Sequence, residues 1–303
     1  MKWKSFPEYR NGFRPETFLY AYYKRLLPLM QALKQFIKRN FGSWIYRRQV
    51  NPVRKNEMDS WLQKLQGKKP DKLSDASYDV FTYHGEDGIL LYLLSQLNEV
   101  PAVFIDIGAG DCIKSNCTNL VTHFGWSGTF IDKDKNQLSV GRRFYKARNV
   151  QGIRFVDTEV TVNNVNQLIT EAAAQGKIGL LSIDIDGNDY WIWKAIEVVQ
   201  PAIVLIEAKV EFGHRSLVVP YGQKNHRSVN KEYNGASVEA IRKLGEAKGY
   251  KLVGANKQGY NLFFVREEQP LIKVSTKEIL DDPETIGSFY PDHFFIAQQF
   301  ESV

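Results

Sequence analysis

The stretch that most constrains this chain runs from Val103 to Asp111, Val-Phe-Ile-Asp-Ile-Gly-Ala-Gly-Asp. It begins with apolar, β-branched and aromatic residues around one acid, Asp106, which is the pattern of a buried strand. Gly108 and Gly110 then allow a sharp turn and a close ligand approach, because neither carries a Cβ. Helical spacing follows from Ser115 through Phe124. Strand, glycine turn and helix make the front of a nucleotide-type binding site, since a helix start presents unpaired N–H groups.

The chain downstream repeats the unit. A short apolar helix over 89–97 precedes the opening strand. After it, the spacing predicts a strand over 128–131 ending at Asp132, a helix over 134–146, and a strand over 153–156 ending at Asp157. A helix over 165–174, a buried strand over 178–185, a Trp-rich helix up to Val199 and a strand over 203–206 ending at Glu207 complete the series. Strands alternating with helices imply a parallel, doubly wound α/β sheet. Residues 208–235 have no period, contain His214, Tyr221 and His226, and read as a long functional loop. A helix over 236–248 then leads to strands over 251–253 and 261–265, a hairpin that closes the sheet in antiparallel fashion. The expected organisation is a basic helical extension over 1–75, a Rossmann-like domain over 76–268 and a C-terminal extension over 269–303.

Charge is distributed unevenly. Residues 1–70 hold 16 Lys or Arg against 4 Asp or Glu, whereas the whole chain carries only +6. The basic balance therefore describes one end and says little about what the sheet binds. Over 16–41, Leu19, Tyr22, Tyr23, Leu26, Met30, Leu33 and Ile37 recur at helical steps, interrupted by Pro28. Two readings stand: a helical subdomain with a solvated charged face, or an amphipathic segment meeting an anionic membrane surface or a protein partner. No apolar run reaches the ~20 residues of a membrane span, and the N-terminus lacks a signal-peptide core. Two cysteines, Cys112 and Cys117, are too few for a disulfide framework. A cytoplasmic location is expected, with peripheral attachment at the inner membrane face as the alternative that the basic extension raises.

The glycine turn also indicates the cofactor. A dinucleotide fingerprint needs a third glycine, and here Ile113 stands in that place. Asp111 in the turn would repel a pyrophosphate but suits a ligand with an ammonium or sulfonium charge. That points from NAD towards S-adenosylmethionine (SAM). At Asp106, Gly108 and Gly110 the chain resembles class I SAM-dependent methyltransferases. More narrowly, it is similar to the FkbM-like group of bacterial methyltransferases. The pieces that carry this are Gly85-Glu-Asp-Gly88, Ile105 to Asp111 with Ser115-Asn116, Leu181-Ser-Ile-Asp-Ile-Asp-Gly-Asn-Asp189, and Gly235-Ala-Ser with Asn261-Leu-Phe-Phe-Val-Arg. The resemblance covers roughly residues 78–267. It implies that Asp132 holds the ribose hydroxyls and Asp157 meets the adenine. Glu86, Asp87, Asp106, Gly108, Gly110, Asn116 and Asp184 are expected to complete the cofactor site. It also implies a hydroxylated acceptor of glycan or glycolipid type.

Methyl transfer is an in-line displacement with a good leaving group already in place. The protein must supply alignment and, for a hydroxyl acceptor, a base. Alternation puts Asp184 and Asp186 on one side of the central strand, where two carboxylates can share a proton. Glu207 ends the next strand, and His214 is an alternative base in the loop. Asp184, Asp186, Asn188 and Glu207 are equally a candidate oxygen set for Mg²⁺. Asp189 is expected only to begin the following helix. Two other functions compete. One is nucleic-acid methylation, disfavoured by Asp184-Ile-Asp-Gly-Asn188 in place of the Asn/Asp-Pro-Pro-aromatic signature of base amino-methylation. The other is a non-catalytic SAM-fold module that recruits a partner through residues 1–70.

Overall fold

In the computed structural model, the apolar runs read from the sequence pair into one seven-stranded sheet. Residues 60, 61, 63, 70–173, 176–222, 232–296 and 298–303 are described; the expected N-terminal helix over 16–41 lies outside them. After a 3-10 turn at Leu73–Ala76 the elements are α1 (Glu86–Gln96), β1 (Val103–Ile107), α2 (Thr118–Phe124), β2 (Ser127–Asp132), α3 (Lys135–Lys146) and β3 (Ile153–Asp157). There follow α4 (Val165–Ala172), β4 (Leu180–Ile183), α5 (Asp189–Ala195), β5 (Ile203–Glu207), β6 (Leu217–Val218), α6 (Val238–Ala247), β7 (Tyr250–Ala255) and β8 (Asn261–Arg266). The C-terminal segment adds α7 (Thr276–Leu280), α8 (Pro283–Ile286), α9 (Asp292–Ile296) and β9 (Glu301–Ser302).

The sheet order is β3-β2-β1-β4-β5-β8-β7. Pairs from β3 to β5 are parallel, and β8 runs antiparallel to both β5 and β7. This is the expected Rossmann-like sheet with its closing hairpin, and its order reverses at β1/β4, where such sheets bind ligands. The central strands are buried on both faces, hence their unbroken apolar runs. Phe104, Phe130, Tyr145 and Phe155 stack over one side. Trp193 packs against Tyr250 and Phe264 elsewhere in the core.

Several boundaries move for visible reasons. The helix expected from Ser115 starts at Thr118, because Asp111 and Ser115 tie the intervening residues into turns. Asp111 Oδ1 accepts the N–H groups of Ile113 and Lys114 at 3.0 and 3.1 Å, and Ser115 Oγ accepts that of Cys117. Strand β4 ends at Ile183, short of Asp184. Asp186 takes a left-handed φ of 61°, so strand alternation does not carry through to it. The 208–235 loop gains a 3-10 turn at Val210–Phe212 and the strand β6, which pairs with β9. No described helix is long and apolar enough to cross a membrane.

Candidate active site

The carboxyl ends of β1, β2, β4 and β5 form one rim. At β1 the glycine turn is pinned to the neighbouring strand, with Gly108 and Ala109 donating to the Ile131 carbonyl at 2.9 and 3.2 Å. Gly108 has φ 86°, and a Cβ there would lie 1.7 Å from the Asp184 carbonyl oxygen, so only glycine fits. Gly110, at φ 53°, has open space where a Cβ would stand. Its N–H donates to Asp132 Oδ2 at 2.8 Å, and the N–H of Asp134 donates to Asp132 Oδ1 at 2.7 Å. Asp132 is thereby oriented from both sides, each oxygen keeping a lone pair for a further donor. Asp157 is in register beside it and exposed.

Asp106 lies beneath the turn. Ser115 Oγ donates to its Oδ2 at 2.5 Å, and Ser182 bonds it as well. Burial pushes its pKa up to about 6 against those hydrogen bonds, with a smaller contribution from Asp132. Asn116 donates to Ser182 Oγ at 3.3 Å, linking α2's approach to β4.

The acids of the Gly85–Gly88 stretch, expected to contact the cofactor, bond to neighbouring protein groups. Asp87 Oδ2 accepts the N–H groups of Val80, Phe81 and Thr82 at 2.6–2.9 Å and the Thr82 hydroxyl at 3.1 Å. Burial raises its pKa to about 6, opposed by those bonds. Glu86 Oε1 accepts the side-chain amides of Asn256 and Asn261, both at 2.8 Å, and its Oε2 accepts the His84 N–H. The loop before α1 is therefore braced to the β7–β8 hairpin. The turn's own acid also bonds to protein groups. Asp111 is buried, and its Oδ1 caps the turn behind it.

On the β4 and β5 side, carboxylate oxygens of Asp184, Asp189 and Glu207 come within 4.8 Å of one another. Asp186 is outside this group, its backbone turned to a left-handed φ, and Asp189 takes its place. Asp189 Oδ1 and Oδ2 accept the N–H groups of Ile185 and Gly187, both at 2.8 Å, so it organises the turn as well as starting α5. Asp184 reaches solvent yet is crowded by protein atoms. That desolvation, then the charges of Glu207, Asp189, Asp186 and Asp106, raises its pKa well above the usual carboxylate value. Lys209 Nζ stands 3.6 Å from Glu207 Oε1 and supplies a cation that the sequence reading missed. The alternation in Glu207-Ala-Lys209 could have flagged it. His214 is placed elsewhere: its ring pairs with Asp281 at 3.1 Å and meets Phe289 edge-on, and it is not part of the acid group. His226 lies outside the described residues.

No protein family and no curated protein matches this chain in sequence. Among solved structures it is similar to magnesium protoporphyrin IX methyltransferase from Synechocystis PCC 6803 with bound S-adenosylhomocysteine (SAH). There the identity is 13%, the TM-score 0.40, and 78% of this chain and 99% of that one are covered. An O-methyltransferase family protein from Burkholderia thailandensis matches at 13% identity and TM-score 0.42, over 84% of this chain and 70% of that one. The SAH-bound N-terminal domain of EvdMO1 matches at 8% identity and TM-score 0.43, over 61% and 81%. Likeness at this level transfers no residue roles. The class assigned to the fold comes from the strand order itself.

Proposed function

We propose that this chain is a SAM-dependent O-methyltransferase acting on a hydroxylated acceptor of glycan or glycolipid class. One observation carries the reading: a single rim holds the pre-oriented Asp132 beside an open glycine turn and, two and three strands away, the converging carboxylates of Asp184 and Glu207. The acceptor class rests on the sequence resemblance alone.

The residues fit the cofactor. Asp132 would take the ribose hydroxyls with the lone pairs left beside its two N–H bonds, Asp157 would flank the adenine, and Asp106 and Asn116 would face the methionine end. Gly108 and Gly110 give the backbone approach. Bound SAM supplies a methyl group on a sulfonium sulfur. The acceptor oxygen would take that methyl as the carbon–sulfur bond broke, and its proton would pass to a carboxylate of this chain. Asp184 suits that role, because burial and then its acidic neighbours raise its proton affinity. Glu207, held by Lys209, is placed to position the hydroxyl. A Mg²⁺ ion would draw on Asp184 and Glu207, with Asp189 as the third acid of the group.

Calorimetry with SAM and SAH tests the first half. Micromolar binding is expected, weakened at least tenfold in Asp132→Ala, given that charge-assisted bonds are worth roughly 1.5–3 kcal/mol. Absence of binding, or full binding by the variant, overturns the cofactor assignment. For the second half, transfer of labelled methyl to glycolipid extracts should fall roughly 100-fold or more in Asp184→Asn while SAH affinity is kept. Activity that is lost with a chelator and restored by Mg²⁺ would assign the acids to a cation.

A further inference from the structure

Beyond the closing hairpin, the described residues enclose a cavity of about 210 Å³ that no role assigned above uses. Its floor is β7, the last strand of the sheet. Its walls are α1, the turn at Leu73–Ala76, and the segment from Leu271 into α7. Leu73, Leu93, Val253, Val274 and Ile279 give it an apolar lining. The walls are tied down on the strand. Leu73 closes over Gly254, where φ is 149° and a Cβ would lie 2.5 Å from that of Leu73. The Val274 N–H donates to the Leu252 carbonyl at 2.9 Å. At the mouth Lys72 Nζ pairs with Asp282 at 2.7 Å and joins the two walls, while Ile272 leaves 68% of its surface in solvent. A braced apolar space of this size with a polar edge has the form of a ligand pocket.

The cavity ends towards the acids of the rim. Asn256 and Gly259, in the turn between β7 and β8, both line it. A Cβ on Gly259 would lie 2.7 Å from Val210 Cγ1, so the turn rests against the loop that leaves Glu207. The carbonyl of the next residue, Tyr260, accepts the Ala208 N–H at 2.7 Å. Asn256 Oδ1 accepts the N–H of Asn261, the register partner of Glu207. Two strand spacings, roughly 10 Å, separate β7 from β5. One amphiphile spans that distance, with a hydroxylated head at Asp184 and Glu207 and an alkyl chain in the cavity. Accepting the O-methyltransferase reading of the rim, we infer that the acceptor is a glycolipid and that this cavity holds its alkyl chain. A free glycan has no group suited to an apolar slot. An apolar cavity of about 150 Å³ holds benzene, so this one has room for about eight carbons.

The test titrates hexyl, octyl and decyl glucosides, each below its micelle-forming concentration, into the full chain by calorimetry. Affinity should rise roughly tenfold from hexyl to octyl, the value of two buried methylenes, and level off at decyl as the cavity fills. Ile272→Asp puts a charge at the mouth, on a side chain exposed enough for the fold to tolerate it, and should weaken octyl glucoside about tenfold or more. Ile286→Asp changes an isoleucine that is also exposed, at 50%, but lies outside the cavity, and should leave that affinity alone. Both variants should unfold at the wild-type temperature and bind SAH within about twofold of wild type. In methyl transfer to glycolipid extracts, Ile272→Asp should raise KM about tenfold and keep kcat. An affinity that ignores chain length overturns the inference, as does a fall in kcat at unchanged KM. An equal loss in Ile286→Asp also overturns it, by showing adventitious detergent binding only. If SAH binds and octyl glucoside does not, the inference fails and the methyltransferase reading stands. If the glucosides bind by chain length and SAH does not bind, the methyltransferase reading fails and the acceptor role falls with it.

Discussion

The two halves of the rim are built differently. On the β1–β2 side each critical group is fixed by residues close to it in sequence or by the adjacent strand: Asp132 by Gly110 and Asp134, Ile113 and Lys114 by Asp111, Gly108 by Ile131. On the β4–β5 side the acids are held by near neighbours, Asp189 and Lys209, but the loop after Glu207 is fixed from far along the chain. His214 and Arg215 pair with Asp281 and Asp292, and Phe212 packs among Tyr290, Phe294, Phe295 and Phe300. Strand β6 pairs with β9. A donor common to a whole enzyme class suits a locally coded site. An acceptor particular to one enzyme suits a wall assembled from a long loop and a terminal segment.

If the first half is locally coded, it should fail locally and severely. Gly108→Ala is the largest effect expected. Its Cβ would lie 1.7 Å from a backbone oxygen at φ 86°, so neither side can yield. A loss of at least about 3 kcal/mol in urea unfolding is expected. Gly110→Ala, with open space around it, should cost only about 1–2 kcal/mol for the left-handed backbone, yet still weaken SAH binding by filling the approach. Similar stability losses in the two variants would break the distinction between a packing glycine and a ligand-facing one.

The same half carries a pH signature. Asp106 and Asp87 rise from 3.8 to about 6 on folding, chiefly through burial. Between those values the native chain keeps protons that the unfolded chain has released. Their contribution to stability is full below pH 3.8 and is lost as pH rises through 6. From pH 5 to pH 7 each acid should remove about 1 kcal/mol. Asp106→Asn should flatten that dependence by its own share, measured as urea midpoints across the interval. An unchanged slope in the variant would mean that Asp106 is ionised throughout.

This contrast also explains what could be read from the sequence. The alternation of apolar runs gave the sheet, and the acids ending successive strands gave the rim, because both follow from periods of a few residues. Asp189 replaced Asp186 in the acid group because a left-handed residue broke the alternation, and the Asp186-Gly187 pair was its one local signal. Glu86 and Asp87 read as ligand contacts because a Gly-flanked acid pair looks the same whether it faces a ligand or braces a loop. Only Asn256 and Asn261, some 170 residues away, decide the matter for Glu86. The aromatic residues after 268 have no helical or strand period, since they pack individually around Phe212 and Tyr233.

Should the second half depend on the terminal segment, loosening that segment must leave the cofactor side alone. Phe300→Ala removes a ring that meets Phe212, Tyr233, Phe294 and Phe295. Amide protection at Leu217 and Val218 should fall, since their strand partners Glu301 and Ser302 adjoin it. SAH affinity should stay within about twofold. A parallel fall in SAH affinity would show the two halves to be one cooperative unit, contrary to the comparison.

The smallest expected effect concerns His214, which sequence reasoning offered as a base and the structure joins to Asp281. Both partners are largely exposed, at 55% and 41%, so water screens the pair. His214→Gln keeps a donor near Asp281 and should change stability by less than about 1 kcal/mol. The decisive measurement is the pH profile of methyl transfer. With Asp184 as the base, the profile keeps its shape in His214→Gln, because the group that takes the acceptor proton is untouched. If the acid limb of the profile disappears while SAH still binds, the imidazole is part of the chemistry. The terminal segment would then reach the reacting atoms through Asp281, and the acceptor half would hold its base by the same long-range contacts that build its wall.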